Sequence, residues 1–332
     1  MAEPKFLVVR LGSMGDIVHT FPAVASLRET FPDGKIVWLT DRRWRALVES
    51  AGLGSEIWDM DTRSLQSIGW IRRKVREEEF SVSIDYQGLW KSAAIPFLAG
   101  ISKRIGFSSE TVREFGVPIL YSEKVKVSGT HIAEQNGELS LRAGAMKATG
   151  AFSLLVPDAA KLTVARVLGA EGIERYVVLS PAGGWISKCW PAERYGQLAL
   201  RLYAEHGMRS VINFGPGEEA LAEQVVATAG DAKPLRYSAG FGELMALLQR
   251  AKAVVAGDTG PLHLADALGS SVVAIFGPTD PARNGPFFGK RTVLRAQNVE
   301  STYKRHDLPH LSLLEIGVDD VVGALSEANA LS

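Results

Sequence analysis

Two short apolar runs bracketing a glycine-flanked helix constrain this chain more than any other stretch. Residues 253–281 read AVVAGDTGPLHLADALGSSVVAIFGPTDP. The runs 253–256 and 271–276 are too short for helices and lack the polar alternation of half-exposed strands, so they predict strands buried on both faces. Between them, Gly257-Asp258-Thr259-Gly260-Pro261 breaks the pattern and begins a helix over 261–268 that stops at Gly269. Asp258 and Thr259 are N-cap types, and Pro261 suits a first helical turn. This is a βαβ crossover whose helix starts at the carboxyl end of a strand. Free backbone N–H groups and the positive end of a helix dipole at that place suit a phosphate, although a purely structural crossover uses the same glycines.

The alternation runs through the whole chain. In the first half, strands are predicted over 6–9, 35–39, 56–58, 81–84 and 104–107, with helices from Asp16 onward and over 70–79, 93–98 and 131–141. In the second half, further strands are predicted over 176–180 and 209–214, with helices over 159–169, 192–206, 218–229 and 242–250. The pattern changes at 151–160, a candidate linker. These elements predict an α/β protein of two Rossmann-like domains, 1–155 and 156–332, facing each other across a cleft.

Composition excludes several classes of function. The 332 residues carry 37 Lys+Arg against 37 Asp+Glu, a balance that does not point to nucleic acid. The single cysteine, Cys189, rules out an intramolecular disulfide and any cysteine-cluster metal site. No His/Asp cluster stands at ligand spacing, so neither a metal nor a cofactor is expected. The N-terminal MAEPKFLVVR lacks a signal peptide's apolar stretch, and no apolar run reaches the ~20 residues that span a bilayer. A cytoplasmic location is the expectation.

The candidate chemistry lies in the strand-end loops. After the first strand, Arg10-Leu11-Gly12-Ser13-Met14-Gly15-Asp16 holds two glycines and an acid, but not GxGxxG. Asp16 reads either as a helix cap or as a ligand-side carboxylate, since open α/β sheets bind ligands at carboxyl strand ends. Asp85-Tyr86-Gln87-Gly88-Leu89-Trp90-Lys91-Ser92 follows a strand end on the same rim. His131 reads as a hydrogen-bonded structural histidine. In the second half, the loop containing Gly183, Gly184 and Lys188 combines close backbone approach with a cation, as a diphosphate needs. Glu218 and Glu219 begin a helix at another strand end, where they favour the dipole or accept from ribose hydroxyls. With Gly257–Pro261, three loops converge on one rim and describe a nucleotide site.

Taken jointly and in order, GSMGDIVHTFPA, DYQGLWKSAA, GGWISKCWP, FGPGEEALAE and GDTGPLHLADALG resemble the family 9 glycosyltransferases, the lipopolysaccharide heptosyltransferases. Within that family, DYQGLWKSAA is most similar to the heptosyltransferase I group. The resemblance implies a GT-B fold, an N-terminal acceptor domain and a C-terminal domain for an ADP-heptose donor. It also implies inverting transfer without a metal. Asp16 would be the catalytic base. Gly183, Gly184, Ser187, Lys188, Glu218, Glu219, Asp258, Thr259, Gly260 and His263 would hold the donor. Ser13, Gly15, Lys91, Arg104, Arg113 and His131 would face the acceptor, a phosphorylated glycolipid (Kdo–lipid A). Peripheral association with the cytosolic face of the inner membrane follows as an expectation. Gly183-Gly184 departs from the family's threonine pair, so backbone amides would replace hydroxyl contacts there.

Overall fold

The structure is a computed structural model that describes residues 3–331, and it divides into two compact units, Met1–Leu155 and Val156–Ser332. The first contains β1 (Lys5–Val9), β2 (Lys35–Asp41), β3 (Glu56–Met60), β4 (Val82–Asp85), β5 (Lys103–Phe107) and β6 (Glu123–Val125). The second contains β7 (Tyr176–Ser180), β8 (Arg209–Asn213), β9 (Leu235–Tyr237), β10 (Ala253–Gly257), β11 (Val272–Phe276) and β12 (Arg291–Arg295). Every strand pair is parallel. The orders are β3-β2-β1-β4-β5-β6 and β12-β11-β10-β7-β8-β9. Counted from the start of each unit, the two orders are the same. Each sheet reverses direction between its first and fourth strands, β1/β4 and β7/β10, and ligands of open α/β sheets bind beside such a switch point.

Helices cover both faces, so the central strands are buried, and β10 and β11 are apolar throughout. In the first unit, Leu7, Val9, Val37 and Leu39 pack against Ile71 and Val75 of the helix Leu65–Glu77 and against Ile95 of the helix Trp90–Ala99. In the second, Val177, Leu179, Val255 and Ile275 pack against Tyr195, Leu198 and Leu202 of the helix Ala192–His206. Val321 and Leu325 of the helix Val318–Glu327 complete that core.

The sequence does not predict β6, β9, β12 or the last helix. All three strands lie at or next to a sheet edge, are short or only partly buried, and carry charged residues. Pairing with a neighbour holds them, and no apolar run marks them. The predicted helix 93–98 extends over Trp90–Ala99, and 70–79 is observed as Leu65–Glu77.

Candidate active site

The buried strand β1 delivers Arg10 to the switch point of the first unit. Its guanidinium is almost wholly buried, and it donates to the Tyr86 carbonyl and pairs through Nη2 with Asp16 Oδ1 at 2.7 Å. Asp16 sits in the first turn of the helix Met14–Val18. Its Oδ2 accepts from the Ser13 N–H (3.0 Å) and hydroxyl (3.1 Å). Burial pushes the Asp16 carboxyl up, but Arg10, the Ser13 hydrogen bonds and the nearby Arg113 together hold it below its ordinary value. Asp16 therefore caps its helix and also presents an ionised, oriented carboxylate with a partly exposed side chain. Gly12 permits the turn. Its φ is +151°, and a Cβ there would stand 2.7 Å from Trp44 Nε1.

The β4 loop braces the same turn. Gln87 Oε1 accepts from the backbone N–H groups of Leu11 (3.0 Å) and Gly12 (3.2 Å). Asp85 is buried and accepts from the Gln87 and Gly88 N–H groups, the Ser92 hydroxyl (2.8 Å) and the Tyr121 hydroxyl (2.7 Å). Burial pushes its carboxyl up. Asp85 is sealed from solvent where Asp16 is not, so it shapes the loop and presents no carboxylate to an acceptor.

At the switch point of the second unit, Lys188 and Asp258 meet across the β7 and β10 loops. Lys188 Nζ lies 2.7 Å from Asp258 Oδ2, and His263 Nε2 lies 3.3 Å from Oδ1. Burial pushes the Asp258 carboxyl up, but the His263 hydrogen bond and the Lys188 charge outweigh it and depress it strongly. Lys188 also lies 4.7 Å above the Trp185 ring. Thr259 stands at the N-cap of the helix Gly260–Ala267, but its hydroxyl makes no capping bond. Among the described residues, six buried hydroxyls have no hydrogen-bond partner, and those of Ser187, Thr259 and Thr279 are three of them. Buried polar groups are normally satisfied, and these three follow β7, β10 and β11 at the strand ends where ligands bind. Gly183 lets the β7 loop close on Thr259, since a Cβ there would come 3.2 Å from Thr259 Cγ2. Gly184 is open on that side.

This chemistry is an oriented carboxylate on one unit and a lysine with donor hydroxyls at a helix start on the other. The sequence profile of glycosyltransferase family 9 (heptosyltransferase) matches residues 68–311. The chain belongs to glycosyltransferase family 9. Its two-domain α/β architecture is that of GT-B, and it is a glycosyltransferase. It is 27% identical to lipopolysaccharide heptosyltransferase 1 of Escherichia coli K12, with 88% of this chain and 93% of that protein aligned. It is 25% identical to lipopolysaccharide heptosyltransferase 3 of the same organism, over 93% and 94% of the two chains. Among solved structures, E. coli heptosyltransferase WaaC with ADP superposes with a TM-score of 0.75 at 25% identity, covering 98% of both chains. The family 9 glycosyltransferase of Veillonella parvula superposes at 0.83 with 18% identity, over 99% and 98% of the chains, and supports the fold.

For this family 9 chain, the structure brings most of the predicted residues to the two switch points. Ser13, Gly15 and Asp16 share the β1 turn, and Lys91 is exposed in the first turn of the helix that follows the β4 loop. Arg113, on the loop after β5, is near enough to Asp16 to act on its charge. Glu218 and Glu219 are turned to their own loop: Glu218 Oε2 accepts from the Gly215 N–H (2.7 Å), and Glu219 Oε1 from the Gly217 N–H (3.2 Å).

Two of the expected acceptor residues are held by structural contacts. Arg104 stands towards the amino end of β5, where its guanidinium donates to the Ile101, Ser102 and Leu120 carbonyls, so it belongs to the opposite end of the sheet. His131 caps the helix Ile132–Ala143 through Nδ1, which accepts from the Ala133 N–H at 3.1 Å, and its ring meets His19 edge-on. That cap fits the structural reading of this histidine, and the ring contact leaves it beside the helix that carries Asp16. Sequence reading overlooked Arg10 and Thr279. An arginine ending a buried apolar strand was the available signal for the first, because such a charge must find a partner.

Proposed function

We propose that this chain transfers L-glycero-D-manno-heptose from ADP-heptose to the Kdo–lipid A inner core, with inversion and without a metal. On this reading the first unit takes the acceptor and the second the donor, and the reaction occurs at the cytosolic face of the inner membrane. The observation that carries the reading is Asp16: a carboxylate that Arg10 and Ser13 orient and keep ionised at the switch point of its sheet.

In the proposed reaction, an acceptor hydroxyl oxygen attacks the anomeric carbon from the face opposite the ADP. As the new C–O bond forms, that oxygen becomes positively charged and strongly acidic. A carboxylate of low basicity such as Asp16 is then competent to take its proton late in the step. The bond from the anomeric carbon to the diphosphate breaks, and its electron pair leaves with ADP. The Lys188 ammonium, the Ser187 and Thr259 hydroxyls and the amides at the start of the helix Gly260–Ala267 would stabilise that charge. Likeness to WaaC, whose structures hold ADP and ADP-2-deoxy-2-fluoro heptose, supports this donor. The test is ADP release and glycolipid product from purified protein, ADP-heptose and Kdo–lipid A. Absence of both, with a folded protein that ADP stabilises, would overturn the proposal.

A further inference from the structure

On the first unit, the helix Trp90–Ala99 and the segment 112–121 are packed together through buried Ala93, Val117 and Tyr121, with Val112 and Leu120 against them. Their outward sides remain apolar. Phe115 is 97% exposed and Ile119 74%, and Leu98, Trp90 and Phe97 are about half exposed. Trp90 and Phe97 share a face of the helix, and two links join that face to the 115–119 segment. The Trp90 ring lies over Gly116, whose added Cβ would come 3.1 Å from Trp90 Cζ2, beside Phe115. Arg104 stacks 5.3 Å above Phe97 and donates to the Leu120 carbonyl next to Ile119. A monomeric surface rarely exposes so many large apolar groups together without a partner.

Cations are interleaved with this apolar face. Arg72 donates to the Leu98 carbonyl (3.2 Å), Lys91 and Arg113 are neighbours of Trp90 and Phe115 in sequence, and Arg104 lies on Phe97. The carboxylate among them, Glu114, accepts from the Trp90 N–H at 2.8 Å. We propose that this face is a docking surface for an anionic bilayer, with Phe115 and Ile119 entering the headgroup–acyl boundary and the surrounding cations meeting lipid phosphates. Aromatic and long aliphatic groups ringed by Arg and Lys match that interface, where one layer is apolar and the next is wet and negatively charged. The excess of four cations over the one carboxylate set among them favours an anionic partner. One end of the surface adjoins the Asp16 rim, and the other reaches Arg104 at the far end of the helix. Its helix begins just after the β4 loop that holds Gly12, and Arg113 belongs to both. The inference rests on the proposed function to the extent that a lipid-borne acceptor would then be presented directly to Asp16.

The test is sedimentation of the whole chain with vesicles of phosphatidylcholine alone and of equimolar phosphatidylcholine and phosphatidylglycerol. Wild-type protein should sediment with the mixed vesicles, stay in solution with the neutral ones and be released by high salt. Phe115→Ser with Ile119→Ser should weaken sedimentation at least about tenfold, the scale of losing two buried apolar side chains. Leu98→Ser, on the helix, should weaken it in the same direction and guards against rearrangement of the 115–119 segment. Transfer to a deacylated, soluble acceptor should be the same in wild type and the double variant. Equal binding to neutral vesicles, undiminished binding in these variants, or a concentration-dependent dimer abolished by the double substitution would overturn the assignment. Protein that binds anionic vesicles but transfers no heptose would remove the proposed function and leave the surface standing. Protein that transfers heptose to the soluble acceptor but never sediments would do the reverse.

Discussion

Asp16→Asn separates a helix cap from a catalytic carboxylate, and the Arg10 contact decides how. As a cap alone, Asn would replace Asp with little loss. The structure adds a second consequence, because the substitution leaves a buried guanidinium without its counter-ion. Removing one partner of a fully buried pair costs about 3–5 kcal/mol. Here the Asp16 side chain is 29% exposed, and Arg10 keeps the Tyr86 carbonyl, which reduces the expectation to about 1–3 kcal/mol. In a unit of this length that lowers the melting temperature by roughly 3–10 °C. Turnover should fall by ~10²–10⁴-fold, the usual loss of a general base, with ADP affinity unchanged because the lysine site lies in the other unit. Because the folded Asp16 carboxyl is depressed, its stabilisation is complete above the unfolded value of about 3.9 and disappears as pH falls through the folded value. The stability gap between wild type and Asp16→Asn should therefore be flat at about pH 5 and above and close in acid. A cycle with Arg10→Met completes the measurement: the double variant should be more stable than the two single losses predict, by about 1–2 kcal/mol. Denaturant melts at several pH values and initial rates of ADP release are the assays. Additive losses would refute the ion pair, and more than about a tenth of wild-type turnover would refute the base.

Lys188→Ala should reduce the melting-temperature rise produced by ADP and weaken ADP binding about tenfold or more, as expected for a lost charge-assisted contact; unchanged ADP affinity by calorimetry would count against the donor site. Gly12→Ala should cost about 1–3 kcal/mol, because a side chain there meets Trp44 at a backbone conformation that favours glycine; a urea melt that matches wild type would show the turn to be relaxed. Heptosyl transfer should persist in EDTA, and restoration only by added magnesium or manganese would overturn the leaving-group chemistry proposed for Lys188 and its neighbours.

Much of the fold was legible because both sheets are buried on both faces. Runs such as FLVV, YVVLS and AVVAG carry no polar alternation, and only a covered parallel strand accommodates them. The edge strands were not legible for the converse reason: EKV and LRY acquire their pairing from β5 and β8, not from their own composition. The Asp85 loop shows the same limit at side-chain level. Its sequence places a carboxylate at a strand end, but the partners that occupy it, Ser92 and Tyr121, stand 7 and 36 residues away. A strand-end position puts Asp85 on the same rim as Asp16, whereas the hydrogen bonds it accepts, from its own loop and from Tyr121, make it the brace of that loop.

The two charged pairs show why residue type alone underdetermines a site. Each switch point holds one cation and one carboxylate at 2.7 Å, Arg10–Asp16 and Lys188–Asp258, so a list of residues would make them equivalent. Their surroundings give them different chemistry. In the first pair the arginine is sealed in and committed to the Tyr86 carbonyl, while the carboxylate keeps access to solvent; the group available to a substrate is an acceptor of protons. In the second pair the carboxylate is closed by Lys188 on one oxygen and His263 on the other. The lysine still has N–H donors beyond the one directed at Asp258, and a ring beneath it, so the available group is a cation. Exchanging the charges within either pair would preserve an ion pair and reverse what it offers. On the proposed function, the first pair would serve to activate a hydroxyl and the second to receive a departing diphosphate. Burial distinguishes the partners in the first pair; in the second, where both side chains are nearly sealed, the distinction is the lysine's remaining donors against a carboxylate with both oxygens taken.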